Sequence, residues 1–257
     1  MGTTGVVRCA CGLVFVTPTP PRAALEAAYD AAYYQPWQAE MGSRRRIWRR
    51  RMGLVDALVA APGRLLDVGC GTGEFLELAR ARGWQVTGTE ISAYAVATAT
   101  TRRLDVARGE VWEAGLPPEA FDVATSWHVI EHVADPRRVL DEMHRVLRPG
   151  GWLVLATPNL DDWIFRAAYR LTRGHRPPLY EQEEREIHLF HFSARSLRAL
   201  VAAAGFDVVA VGFDRDAAAV ATKRIVNDLA YAFFRVTGIN WGMALRLTAR
   251  KPGGHAA

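Results

Sequence analysis

The stretch Arg64–Gly73, RLLDVGCGTG, constrains this chain more than any other part of it. A short apolar run reads as a buried strand. It leads into glycines at 69, 71 and 73, which permit positive φ and close approach of the backbone to a ligand. Residues Gly73–Arg82 have a helical composition, so the turn opens a helix whose first N–H groups are free for a ligand. Strand, glycine turn and helix together form one unit of an α/β fold.

The rest of the chain repeats that rhythm. Strands are expected at Gln85–Glu90, weakly near Asp105–Arg108, and at Phe121–Trp127, Trp152–Thr157, Phe206–Phe213 and Met243–Arg250. Helices are expected at Ser92–Arg102, at Asp135–Leu147 with Pro136 in the first turn, from Ser193 to Ala204, and over 217–236. Pro149-Gly150-Gly151 reads as a turn. Alternation of this kind implies a mainly parallel sheet of seven strands covered on both faces, a doubly wound α/β architecture. Residues 1–21 read as a hairpin-like piece stopped by Pro18, Pro20 and Pro21. Residues 22–60 read as an N-terminal helical extension, one helix over Arg22–Tyr34 and another over 40–60. The second carries Trp48, Met52, Val55 and Val59 as one apolar stripe. Residues 61–257 form the main domain. Within it, 158–192 break the rhythm with aromatics, Pro177-Pro178 and several histidines, as an inserted lid over a substrate does.

Half the residues are hydrophobic and 23% are charged, the balance of a globular protein with a real core. The chain has no apolar run of membrane-spanning length and no signal-peptide pattern, and its three cysteines do not suggest a disulfide framework. These features read as a cytoplasmic protein. The net charge of +5 is carried almost wholly by arginine. Arg44–Arg46 and Arg49–Arg51 surround Ile47 and Trp48. This run is either a surface for phosphates, in RNA or at a membrane periphery, or the solvated face of an amphipathic helix. No RNA-binding module accompanies it, so nucleic acid is not the expected partner.

Glu90 follows Gly73 by 17 residues at the end of the next strand. An acid there accepts both hydroxyls of a ribose. A dinucleotide fingerprint needs glycines at 69, 71 and 74, but position 74 is Glu, which repels a pyrophosphate. The loop suits a ligand with an amino-acid end and a ribose, as in S-adenosylmethionine.

LLDVGCGTGEF, TGTEIS, FDVATSWHVIEHV and LRPGGWLVLATPN resemble the successive motifs of class I S-adenosylmethionine-dependent methyltransferases. The likeness is to ubiquinone-biosynthesis-type O-methyltransferases and their sugar and natural-product relatives. It is carried strongly by 64–157 and extended by HLFHFSARSLRALVAAAGF at 188–206. The resemblance implies a Rossmann-like fold. It assigns Asp67, Gly69, Gly71 and Gly73 to the methionine end of the cofactor, Glu90 to its ribose and Ile91 to the adenine. It also places Glu110 or Val111 at the adenine edge, and Ser126 beside the cofactor.

His128-Val129-Ile130-Glu131-His132 matches the zinc-protease pattern H-x-x-E-H, but it follows a buried strand at the cofactor edge of the sheet and is not read so. With a helix begun there, 128, 131 and 132 share one face. The methyl donor is already activated, so the enzyme must align an acceptor and remove its proton, a task suited to histidine. His128 is the first candidate; His188 and His191 on the lid, near Glu186, are the others. In metal-dependent relatives the position of His128 holds Glu, so no metal is expected, and Glu131 with His132 reads as a hydrogen-bonded pair fixing the loop. Cys9-Ala10-Cys11-Gly12 resembles half of a zinc ribbon but lacks the other half, and reads as a remnant hairpin. The expected activity is methyl transfer to a hydroxyl of a small-molecule acceptor. The alternatives are transfer to nitrogen or carbon, an RNA methyltransferase, and a non-catalytic cofactor-binding subunit.

Overall fold

The computed structural model describes residues 5–39, 41–180, 187–215 and 221–253. Residues 1–4 of the predicted hairpin, the first residue of the predicted helix 40–60, Glu186 and 217–220 of the predicted last helix lie outside the described residues.

Nineteen elements follow one another: β1 (Gly5–Arg8), β2 (Val14–Thr17), α1 (Arg22–Ala28), α2 (Ala31–Ala39), α3 (Met41–Asp56), β3 (Arg64–Val68), α4 (Glu74–Arg80), β4 (Gln85–Glu90), α5 (Ala93–Thr101), β5 (Val106–Arg108), β6 (Phe121–Trp127), α6 (Pro136–Val146), β7 (Leu147–Pro158), α7 (Trp163–Arg173), β8 (Phe190–His191), α8 (Ala194–Ala203), β9 (Asp207–Phe213), α9 (Ala221–Thr237) and β10 (Ala244–Arg250). Seven strands form one sheet in the order β5-β4-β3-β6-β7-β10-β9. Only β10 runs against its neighbours, pairing antiparallel with both β7 and β9. The order reverses at β3, with β4 on one side and β6 on the other, so a crevice opens at the carboxyl ends of these strands.

Alternation along the strands divides the core. Leu66, Ala124, Leu153 and Leu155 face Val139, Leu140 and Met143 of α6 and Leu197 and Val201 of α8. Leu65, Val123, Val154 and Ala156 face the other way, onto Phe75, Leu76 and Ala79 of α4 and Met52 and Val55 of α3. The sheet is therefore covered on both sides, and its parallel strands are buried runs rather than alternating ones.

Four expectations are corrected. The helix expected over Arg22–Tyr34 is two helices, because Asp30 accepts from the Tyr33 N–H at 3.0 Å and starts a new one. The helix expected to reach residue 60 ends at Asp56. The Pro149-Gly150-Gly151 turn lies inside β7, where Gly150 takes φ 75° and the pairing with β6 shifts register. Residues 128–132 form a turn and not a helix, closed by His132 N–H to Val129 O at 2.8 Å.

The insertion after β7 has its own structure. Asp162 caps α7 by accepting from the Phe165 N–H at 2.9 Å. Further on, β8 pairs antiparallel with β2, so the N-terminal hairpin and the insertion share a small three-stranded sheet, order β1-β2-β8.

Met52 is fully buried between α3 and the sheet. Met52→Ala is expected to cost about 2–5 kcal/mol in urea unfolding. A loss well below 1 kcal/mol would show that α3 is not part of the core.

Candidate active site

The crevice at β3, β4 and β6 opens into a cavity of about 770 Å³. Its floor is the turn after β3. Gly69 (φ 71°) has no room for a Cβ, which would strike Val129, so glycine is required on steric as well as conformational grounds. Gly73 caps α4 at φ 87° with Leu104 against its back. Glu74, the first residue of α4, accepts from the Thr72 hydroxyl at 2.6 Å and pairs with Arg102 at 3.2 Å.

Glu90 is buried at the end of β4. Its two oxygens accept from the N–H groups of Gly71 and Ser92, each at 2.9 Å. Burial pushes its pKa up, against the opposing pull of these bonds and of the Tyr34 hydroxyl. Ile91, Glu110 and Val111 line the same part of the cavity. Glu110 opens the short 3-10 turn Val111–Glu113 in a reciprocal cap with Glu113, and Arg22 holds Glu113 at 2.9 Å. That pairing lowers the Glu113 pKa to about 2. Asp67, Gly73 and Ser126 lie behind the cavity wall rather than on it. Asp67 accepts from Thr125 at 2.6 Å, and burial pushes its pKa up to about 7. The buried Ser126 hydroxyl has no hydrogen-bond partner among the described residues.

The N-terminal helices roof this half of the site. Tyr29, Tyr33, Tyr34 and Trp37 line the cavity, with Tyr33 and Tyr34 edge to face at 5.0 Å. The Tyr34 ring lies over Gly71, within 3.6 Å of where a Cβ would stand. Sequence reasoning missed this wall. The available signal was four aromatics in nine residues of helical composition, ahead of the glycine turn.

The other half of the cavity gathers histidines. His128 follows β6 with φ 57°, a conformation that side chains other than glycine rarely take and that clusters at functional sites. Its N–H is held by Ala156 O at 2.8 Å. Its Nδ1 is 3.5 Å from Glu131 Oε1 and its Nε2 is 3.6 Å from Asp214 Oδ2. Desolvation favours the neutral ring, but the two carboxylates outweigh it and hold the His128 pKa above its usual value. Desolvation would raise Glu131, yet His128, His132 and His188 bring it down to about 2. Glu131 Oε2 accepts from Thr157 at 3.0 Å, while the buried Oε1 has no hydrogen-bond partner among the described residues. His132 bonds to Ile187 O at 2.8 Å, and its ring lies 4.9 Å from that of His188. Glu131, His132 and His188 each offer one ligand atom, all within 4.8 Å of one another, so these three could hold a cation.

His188 and His191 line the cavity alongside His128, so the structure brings the three candidate bases together. Burial and the neighbouring His188 lower the His191 pKa to about 4, and its Nε2 has no hydrogen-bond partner among the described residues. Phe165, Pro177, Pro178 and Leu179 line the cavity, whereas Trp163 packs beside Trp241 and Phe190 stacks on Phe15.

Arg51 departs from both readings of the arginine run. It is 4% exposed and donates to Asp214 at 2.8 Å, while Arg45, Arg46, Arg49 and Arg50 stand in solvent. Its guanidinium also covers the Trp127 ring at 4.6 Å. Desolvation would raise Asp214, but Arg51 and His128 hold it below the usual carboxylate range. No helix among the described residues is long and apolar enough to cross a membrane.

A family described as a methyltransferase domain matches residues 42–211. A ubiquinone biosynthesis O-methyltransferase of Paracidovorax citrulli is 33% identical over 135 residues, covering 46% of this chain and 53% of that protein. One of Pseudomonas entomophila is 32% identical over 143 residues, covering 52% of this chain and 62% of that protein. The chain thus spans less than two thirds of the length of these relatives. A solved S-adenosylmethionine-dependent methyltransferase from Thermotoga maritima shares the fold at TM-score 0.61 and 20% identity, over 88% of this chain and 99% of that one.

Arg51→Met would leave Asp214 buried with its main counter-charge gone. The expected loss is about 3–5 kcal/mol in urea unfolding at neutral pH, with most of it recovered in Arg51→Met/Asp214→Asn. Equal losses in the single and double variants would show that the cost lies in packing of the arginine stem and not in the orphaned charge.

Proposed function

The chain belongs to the methyltransferase-domain family, and on that premise we propose that it transfers a methyl group from S-adenosylmethionine to a hydroxyl of a small-molecule acceptor. The observation that carries this reading is Glu90. It is fixed by two backbone amides at the end of β4, on the wall of the cavity floored by the Gly69–Gly71 turn. A carboxylate so placed binds vicinal hydroxyls, and the turn beside it suits an amino-acid end rather than a phosphate, because Glu74 stands at the start of α4. The cavity volume of about 770 Å³ falls within the range of about 300–1,000 Å³ that takes small ligands.

When bound, the cofactor supplies a methyl group on a positively charged sulfur. The chain's own task is to place the acceptor oxygen in line with it and take the acceptor proton. We assign proton removal to His128. It follows β6, where the cavity passes from the cofactor half to the insertion, and Asp214 beside Nε2 orients the ring. Its neutral form is the base; its raised pKa makes that form the stronger acceptor and the scarcer one. No resident metal is required in this reading. A protonated His128 lies beside Glu131, one of the three residues that could hold a cation, and the two compete for it. His191 offers a second reading, favoured by its unpartnered Nε2 and its neutral state at physiological pH.

Calorimetry is expected to show binding of S-adenosylmethionine or S-adenosylhomocysteine and none of NADH. Glu90→Ala should weaken binding by about 1.5–3 kcal/mol for each charge-assisted bond to a ribose hydroxyl. Binding of NADH alone would overturn the cofactor assignment.

The pH profile separates the two histidines. A His128 base must lose its proton to act, so the rate rises with pH through a midpoint above 6.5. A His191 base, its pKa lowered to about 4, is neutral across the physiological range, so the rate stays flat there. His128→Ala is expected to lower the rate about 10²–10⁴-fold with little change in cofactor affinity. His188→Ala, His191→Ala and EDTA treatment complete the comparison. Activity abolished by EDTA and restored by Mg²⁺ would assign Glu131, His132 and His188 to a metal instead.

A further inference from the structure

Helix α9 has two apolar faces, and among the described residues one of them is packed and the other is exposed. Asn227 and Ala230 are buried at 1% and 2% exposure, and the Tyr231 and Phe234 rings pack 5.5 and 6.0 Å from Phe213. On the opposite side Ile225, Leu229 and Val236 stand 63%, 67% and 87% exposed, with Ala232 exposed between them. At 3.6 residues per turn these four fall on one stripe, about 180° from the buried face. Their spacing of four, three and four residues is that of a coiled-coil seam. The apolar surface continues beyond the helix through Ile239 and through Trp241, which stacks on Phe233 at 4.3 Å and lies beside Trp163. Exposed apolar surface of this extent in a water-soluble fold marks an interaction site.

We propose that α9 is a self-association surface, pairing antiparallel with α9 of a second copy of this chain about a two-fold axis near Ala230–Tyr231. The four-three-four spacing reads the same in both directions, as an isologous contact requires. In this register Ile225 meets Val236 of the partner subunit, and Leu229 meets Ala232 of the partner subunit. Asp228 and Arg235, seven residues apart, flank the seam on the same side. In an antiparallel pair like flanks meet, which brings Asp228 against Arg235 of the partner subunit twice across the axis. A parallel pair would instead set Asp228 against Phe233 of the partner subunit, with no opposite charge. The acid also argues against a lipid occupant, because Asp228 would face an anionic membrane surface. Asp228 already pairs with Arg215 at 2.8 Å, both side chains 42% exposed, so it is held ready on that flank.

The test is the mass of the full chain by light scattering and sedimentation across a concentration series. The expected species is a dimer of the 28.4 kDa chain. Leu229→Glu and Val236→Glu are expected to give monomers with an unchanged circular dichroism spectrum. Arg235→Asp, which leaves the Arg215–Asp228 pair intact, should weaken association about tenfold by setting like charges together. The charge-swapped variant Asp228→Arg/Arg235→Asp, made together with Arg215→Asp so that the pair with position 228 is kept, should restore it, which keeps the proposal testable if the glutamate variants fail to fold. A wild-type monomer at every concentration would overturn it. So would a dimer indifferent to Leu229→Glu, a charge swap that fails to rescue, or a monomer that floats with phosphatidylglycerol vesicles through this stripe.

Discussion

Parallel strands with their two faces covered leave a chain few places for chemistry. In β3, β6 and β7 most positions are apolar and buried, and the buried polar residues Asp67, Thr89, Glu90, Thr125, Ser126 and Thr157 gather toward the carboxyl ends of their strands. The pairing is parallel and in register, and the carboxyl ends of these strands therefore form one edge. Reversal of strand order at β3 parts the loops there and makes the crevice. Glu90 at the end of β4, the glycine turn after β3 and His128 after β6 meet because each lies at or just beyond the end of a strand in that edge. His128 needs no other device to come within the cavity, whereas His188 and His191 reach it from the insertion.

Near the sheet, the sequence carried most of this information. A strand buried on both faces is a short apolar run, and a turn that must take positive φ is a glycine; both leave marks in neighbouring residues. The limits of β3, β4 and β6 and the placing of Glu90 follow directly. The pairing of Arg51 with Asp214 leaves no such mark. The two are 163 residues apart, and a buried arginine on a helix of arginines looks like its solvated neighbours until the fold is known. The tyrosine roof is hidden for a related reason: Tyr29 ends one short helix and Tyr33 and Tyr34 sit on the next, and the break between them at Asp30 depends on one side-chain bond. The turn over 128–132 was read as helical because its spacing suits a helix; the backbone at His128 instead takes the left-handed region, and Ala156 O fixes its N–H.

The Arg51–Asp214 pair joins the N-terminal helices to the far side of the sheet. A buried ion pair contributes little net stability against an apolar alternative, but it does not tolerate loss of either member. It therefore fixes the distance between α3 and the end of β9, and with it the position of the carboxylate that faces His128. On the other side of that ring, Glu131 is tied to β7 through Thr157, and its backbone carbonyl accepts from Leu189 and Phe190 of the insertion at 2.7 and 3.0 Å. His128 is thus held between one carboxylate anchored to the N-terminal extension and another anchored to the insertion.

The histidines in the cavity consequently differ in character despite their proximity. Desolvation lowers the pKa of both His128 and His191. At His128 two carboxylates reverse the effect; at His191 the neighbouring His188 adds to it. Environments that push the pKa values of two like groups apart separate the roles those groups can play. A ring flanked by two acids carries positive charge readily and gives up its proton late, while a ring pressed by burial and a second histidine stays neutral with a nitrogen open to a ligand. An acceptor entering between them would find a hydrogen-bonding partner in one and, once neutral, a strong proton acceptor in the other. Both pKa values depend on the insertion, which carries His188 and His191 and supports Glu131 through the backbone. A change in the packing of that segment alters the protonation of these histidines without touching the glycine turn.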